Sequence, residues 1–229
     1  MNIQLKQSQE TVEVYCGDTP FTRYHFGKQW AKPYFYPVNT PTSVGFTRGF
    51  PMDPKEGENN DHIHHKSLWV AHGDINRVDI WSEEKGHGRQ INGDSLAAKL
   101  DWVDKKGMKL LSETRTVRFG EAHSHRFFDF TIEFHASEGD AKFGDTKEGG
   151  LVSVRVTTTM NAAKNGRIEN SEGHVYSANG GTTGPCTPSS AGEPTWGKRA
   201  RWVTYTGPAE GKECGVTILD HPGNLRHPT

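Results

Sequence analysis

Strict alternation of apolar and polar side chains, with almost nothing at helical spacing, constrains this chain more than any other feature. In residues 126–135, Phe128, Phe130, Ile132 and Phe134 fall on one side and Asp129, Thr131, Glu133 and His135 on the other. In 151–159, Val152, Val154 and Val156 alternate with Ser153, Arg155 and Thr157. A period of two sends successive side chains to opposite faces, the pattern of a half-buried strand. Segments 108–119, 199–206 and 213–220 are rich in β-branched or aromatic residues and bounded by turn formers, so they read as strands as well. Only 95–100 and 160–164 have helical character, and both are too short to hold a helix alone. Gly17-Asp18-Thr19-Pro20 and Asp104-Lys105-Lys106-Gly107 sit between strand-like runs as hairpin loops. Many antiparallel strands on one core make an all-β sandwich or barrel.

The 229 residues fit one sizeable domain, read here as a single β-sandwich over 1–229. Only 32% of residues are hydrophobic, but six Trp, six Tyr and eleven Phe supply large buried areas. A net charge of -1 provides no electrostatic footprint for nucleic acid. No apolar run approaches the roughly 18 residues of a membrane helix, so no membrane partner is expected. The first residues lack the apolar core of a secretory signal, which leaves the cytoplasm, or export after loss of a signal ahead of residue 1. Cys16, Cys186 and Cys214 form no CxxC pair; three cysteines allow one bridge plus a free thiol, and burial as small hydrophobes is the favoured reading. Segments 51–60 and 177–195 are too long for turns and read as functional or disordered loops. The last strand is followed by a turn-forming loop over 220–229, so the domain is expected to continue past Thr229.

Four of the twelve histidines, His62, His64, His65 and His72, crowd into residues 61–74. On one continuous strand His62, His64 and His72 would share a face with Leu68 and Val70, and His65 would take the other. Three chemistries compete for such a cluster. Neutral imidazoles beside Asp61, Asp74 and Asp79 suit sugar binding or proton transfer. His-x-His on a strand can supply two metal ligands of the three or four needed. Packing and structural hydrogen bonding is the third.

Lys147 and Glu148 follow a strand at a glycine-rich bend; they read either as an acid/base pair or as a solvated turn. Arg155 and Arg199 read as substrate anchors or as surface charges. His221 and His227 share a short loop with Asp220 and Arg226, a common setting for binding residues. Residues 192–198 formally match the start of a P-loop, but Arg199 replaces the magnesium-binding Ser or Thr and no strand precedes it.

Five phrases in order resemble the PmoA-like family: Lys32-Pro33-Tyr34-Phe35-Tyr36-Pro37-Val38, residues 61–76, Phe143-Gly144-Asp145-Thr146-Lys147-Glu148-Gly149, Trp196-Gly197-Lys198-Arg199-Ala200, and residues 220–228. The resemblance covers nearly the whole chain and implies a galactose-mutarotase-like β-supersandwich. The family's oxygenase label would require membrane helices, which this sequence lacks. One departure is the 177–194 insert, longer than the family pattern.

These readings combine into one expectation: a carbohydrate-active sandwich protein that binds a small sugar without cofactor or metal. His64, His72 and Glu148 are the candidate catalytic groups for epimerase, lyase or hydrolase chemistry. His62, His65, Lys147, Arg155, Arg199, His221 and His227 are the candidate substrate-binding residues. Trp69, Trp81 and Trp196 are candidate stacking faces, and the site residues are expected to line one cleft. A non-catalytic sugar-binding module and a histidine-rich metalloenzyme are the competing readings.

Overall fold

The computed structural model describes residues 2–92, 98–146, 151–179 and 194–228. They form two compact units, one of Met1–Ser43 with Gly49–Arg155 and one of Val44–Arg48 with Val156–Thr229. The dividing point after Arg155 lies inside the alternating run 151–159, which has nothing of a linker in its composition.

The first unit starts with β1 (Ile3–Gln7), β2 (Thr11–Cys16), β3 (Thr19–His25), β4 (Tyr34–Val38) and β5 (Leu68–Val70). It continues through β6 (Arg89–Asn92), β7 (Ala98–Val103), β8 (Lys109–Ala122), β9 (His125–His135) and β10 (Val152–Val154). One antiparallel sheet runs β1-β2-β3-β4-β5-β10 and a second runs β6-β7-β8-β9. The hairpin expected at 17–20 is tighter than its sequence suggests. Cys16 pairs with Thr19, leaving a two-residue loop in which Gly17 takes φ +58°. Asp104 closes the β7–β8 turn by accepting the Lys106 and Met108 N–H groups at 2.8 Å each. The helical reading of 95–100 is corrected over its second half, where Ala98 already begins β7 because Leu100 and Trp102 continue a period of two into the core; residues 95–97 lie outside the described residues.

The two sheets meet through aromatic rings. Phe21 of β3 and Phe35 of β4 pack on Phe119, Phe128 and Phe130 with centroids 4.7 to 6.2 Å apart, tilted or edge-on. Phe128, Phe130, Ile132 and Phe134 do share the inward face of β9, as their spacing requires. The inward face of β8 carries Leu111, then Glu113 and Arg115, both buried. Trp102 Nε1 donates to Glu113 at 2.7 Å, Arg115 Nε donates to Glu113 at 2.6 Å, and Arg115 Nη2 reaches Gln90 at 3.2 Å. Gln90 in turn donates to the Val70 carbonyl at 2.8 Å, so the ion pair is held by hydrogen bonds within the core.

The second unit contains β11 (Arg167–Asn170), β12 (Val175–Tyr176), β13 (Trp202–Ala209) and β14 (Lys212–Leu219), in the antiparallel order β12-β11-β13-β14. Met160, Ala162, Val175, Ala200 and Ala209 are buried in it. The helical reading of 160–164 is corrected to a 3-10 turn at Thr158–Met160 followed by a turn closed by the Lys164 N–H on Asn161 O. Thr47 bridges Val156, and the Thr157 N–H donates to Phe46 O at 2.8 Å. The chain is thus all-β and antiparallel. Among the described residues no helix is long and apolar enough to cross a membrane.

Candidate functional site

The histidine segment is a turn, not a strand. Strand β5 begins only at Leu68; before it, the His65 N–H closes on His62 O at 3.0 Å, with His62 and Ser67 at positive φ. The shared face expected for His62, His64 and His72 therefore does not exist. Instead the turn stacks its rings. His62 and His65 lie parallel at 4.7 Å and 7°, His65 continues onto Trp69 at 5.1 Å, and His64 stands edge-on to His65 at 4.4 Å. The column runs from exposed His62 to buried Trp69.

Trp69 joins Tyr34, Tyr36, Ala71 and Trp81 in a buried cluster, with Trp30 and Met52 packed against it. The sugar-stacking role expected for Trp69 and Trp81 is therefore corrected: at 3% and 6% exposure neither has a face to offer. Loop 51–60 is tied down beside this cluster. Glu58 accepts the N–H groups of Gly49, Phe50 and Lys55 at 2.8, 2.9 and 3.2 Å, and the Tyr36 hydroxyl donates to Asp53 at 2.8 Å.

Under the imidazoles lies a buried charge cluster that the sequence does not announce. Lys32 Nζ donates to Glu83 at 2.5 Å and to the Trp81 carbonyl at 2.8 Å. Lys66 Nζ donates to the other oxygen of Glu83 and to Ile63 O at 3.3 Å. The Lys32, Lys66 and Glu83 side chains are only 0%, 4% and 12% exposed. Glu83 is held at φ +56° by the preceding turn, where Asp79 accepts the Trp81 and Ser82 N–H groups at 2.6 and 3.0 Å and the Ser82 hydroxyl. A non-glycine residue in the left-handed region costs free energy, and such strain is common where a side chain must be aimed.

The electrostatics follow from burial. Desolvation lowers Lys32 to about 8 despite the Glu83 charge, and lowers Lys66 as well. Burial opposes ionisation of Glu83, but the two ammoniums outweigh it and hold the carboxyl below its usual range. His64 falls to about 4, first through burial and then through the Lys32 charge, so it is neutral at physiological pH. This sets an acid response. Because the unfolded histidine takes its proton near 6.5, the stability tied to neutral His64 is complete above that pH and is lost as pH falls towards 4. The drop in urea midpoint between neutral and acidic pH should be smaller in His64→Gln than in the native chain. Equal drops would contradict a buried neutral imidazole.

Around this cluster the expected residues are distributed unevenly. Arg155 Nη2 donates to both oxygens of Asp61 at 2.9 and 3.0 Å, and Asp61 faces His62 Nδ1 at 3.0 Å, so Arg155 orients a carboxylate–histidine pair. His72 lies beyond the far end of β5, where its Nδ1 accepts the Asp74 N–H at 3.1 Å and its ring meets Phe143 edge-on at 5.3 Å. Burial lowers its pKa, opposed by the hydrogen bond and charge of Asp74. The 143–146 phrase comes against this second place. A Cβ on Gly144 would meet an Asp74 oxygen at 2.1 Å, and one on Gly73 would meet the Thr146 hydroxyl at 2.5 Å, so a larger residue at either place would force the Asp74 or Thr146 side chain to shift. Lys147 and Glu148 lie outside the described residues.

Arg199, His221 and His227 belong to the second unit. Arg199 Nε donates to Pro228 O at 2.6 Å and its Nη2 to Arg226 O, which ties the 220–228 loop to the segment before β13. Asp220 faces His227 Nδ1 at 2.8 Å, and His221 Nδ1 accepts the Gly223 N–H at 3.0 Å. Trp196, 43% exposed, is the one candidate stacking face that stays open. In the first unit a groove of about 480 Å³ on the outer face of β7–β9 is lined by Lys99, Asp101, Lys109 and His135. Its Lys109–Asp101 pair, at 2.9 Å, is water-exposed and weakly coupled.

Residues 11–229 match a family of unknown function, DUF6807. The chain belongs to that family. No curated protein and no solved structure matches it.

Proposed function

We propose that the first unit is carbohydrate-active, with the imidazole turn over Lys32, Glu83 and Lys66 as its site. The observation that carries this reading is His64, half-buried yet neutral, next to a buried lysine that titrates near 8. A neutral imidazole can donate its N–H to an oxygen on which charge develops while a second base takes the proton from the ring carbon, the pairing that epimerisation and elimination require; in hydrolysis the departing oxygen keeps the donated proton and the attacking water restores it. His62, oriented by Asp61 and exposed, is the second proton-transfer group, and Arg155 acts through Asp61. His72 and Glu148 remain candidates at the 143–148 phrase. The resemblance to the PmoA-like family, with its galactose-mutarotase-like fold, favours a sugar over other polar ligands.

The ring geometry weighs against a metal at the turn. Imidazole lone pairs lie in the ring plane, and the parallel planes of His62 and His65 cannot both contain one ion. Among the described residues no group of three His, Cys, Asp or Glu side chains is arranged to hold one. A purely non-catalytic module loses support with the burial of Trp69 and Trp81.

The test is solvent exchange. Sugars incubated with the protein in D2O should gain deuterium at a ring carbon, read by proton NMR. His64→Gln should cut the rate at least about 100-fold, the usual worth of a general acid/base, with the melting temperature at neutral pH nearly unchanged. A panel of aldoses and uronates showing neither exchange nor cleavage nor binding would sink the proposal.

A further inference from the structure

The imidazole turn presents its proton-transfer groups from one side only. His62 and His64 belong to the same turn, with ring centroids 5.6 Å apart at 79°. His65 lies against both, at 4.7 and 4.4 Å. Inverting a carbon takes a base and an acid on opposite faces, each about 3–3.5 Å away, so about 6–7 Å separates their nitrogens. The ring centroids would then stand farther apart still, well beyond the spacing of this pair. His62 and His64 therefore reach a bound sugar from the same face. Their surroundings divide the roles. Asp61 faces His62 Nδ1 at 3.0 Å and holds the proton there, which puts the basic lone pair on Nε2. His64, half-buried, supplies an N–H to oxygen.

We infer that this site interconverts aldoses and ketoses, moving a proton between adjacent carbons on one face of the open-chain sugar. The inference rests on the carbohydrate reading above and specifies its reaction. His62 Nε2 takes the C2 proton, the C–H electron pair forms the C1–C2 double bond, and the carbonyl oxygen O1 takes a proton from His64. The cis-enediol then returns its O2 proton to His64. As C2 becomes the carbonyl, the double-bond pair binds at C1 the proton that His62 holds. Nothing is oxidised overall, and no co-reactant is consumed. Elimination from an acidic sugar, the other same-face reaction, would need a cation against the substrate carboxylate. Lys32 and Lys66 are buried on Glu83, with Asp79 acting on Lys32 as well, and Arg155 is paired with Asp61.

The test incubates the native chain in D2O with D-glucose, D-galactose, D-mannose, D-xylose and L-rhamnose in turn, followed by NMR. At least one should yield its ketose, with deuterium at one diastereotopic C1 position only, because the proton arrives from one face. His62→Gln should slow this at least about 100-fold. Its melting temperature should be nearly unchanged, since the side chain is 51% exposed. A native rate in this variant, or a ketose deuterated at both C1 positions, overturns the isomerisation and leaves the carbohydrate reading standing. Turnover to an epimer or an unsaturated sugar does the same, as does binding without turnover. Silence from these five sugars overturns the isomerisation, and silence from the uronates as well sinks the reading on which it rests.

Discussion

Glu113→Ala lowers the unfolding free energy of the first unit by about 3–5 kcal/mol, the range for removing one member of a buried ion pair. The substitution leaves the Arg115 guanidinium, 2% exposed, without its carboxylate, and deprives Trp102 Nε1 of its acceptor. Gln90 remains near Arg115 but brings no charge. A urea denaturation series reads the loss directly. Replacing Glu113 and Arg115 together by Leu and Met should recover most of it, since a well-packed apolar pair forgoes the desolvation of both ions. A single substitution costing under about 1 kcal/mol, well below that range, would mean that water reaches the pair.

Glu83→Ala is expected to be comparably damaging at neutral pH, because it strands two ammoniums that are 0% and 4% exposed. Its pH dependence identifies the cause. Glu83 is what supports the protonated lysines against burial, so Lys32 in the variant should titrate below the value of about 8 it has in the native chain. Once both lysines can shed their protons, the stranded charge disappears. The stability gap between native and variant should therefore narrow as pH rises through 8 and beyond. A gap that widens, or one independent of pH, would mean that the loss comes from packing alone.

Much of the strand framework is legible in the chain because alternation reports burial directly. The sequence of β9 is the clearest case: each of Phe128, Phe130, Ile132 and Phe134 faces the core. Alternation fails where the inward position is itself charged, as at Glu113 and Arg115, since a period of two names a face but not which face is inside. The site was half legible. Histidine density located the turn, but its geometry comes from positive φ at His62 and Ser67, which no strand register foresees. Lys32, Lys66 and Glu83 went unseen for a different reason. Lysine and glutamate are surface residues by default, and Ser82-Glu83-Glu84-Lys85 reads as a solvated charge run. The one available hint was Lys32 inside the aromatic run Trp30-Ala31-Lys32-Pro33-Tyr34-Phe35-Tyr36, where a solvated ammonium would be out of place.

The path of the backbone between the two units has a practical consequence for dissection. The chain passes from one to the other after Ser43, again after Arg48 and again after Arg155. No single scission can separate them: cutting after Arg155 leaves 44–48 attached to the amino-terminal fragment. A carboxy-terminal fragment starting at Val156 would lack Thr47, its bridge partner, and the Phe46 carbonyl that receives the Thr157 N–H. The second unit thus closes only after roughly a hundred intervening residues have been made, a long-range contact of the kind that slows folding. In a cell its completion would come late in synthesis, with an amino-terminal segment held waiting for a carboxy-terminal partner.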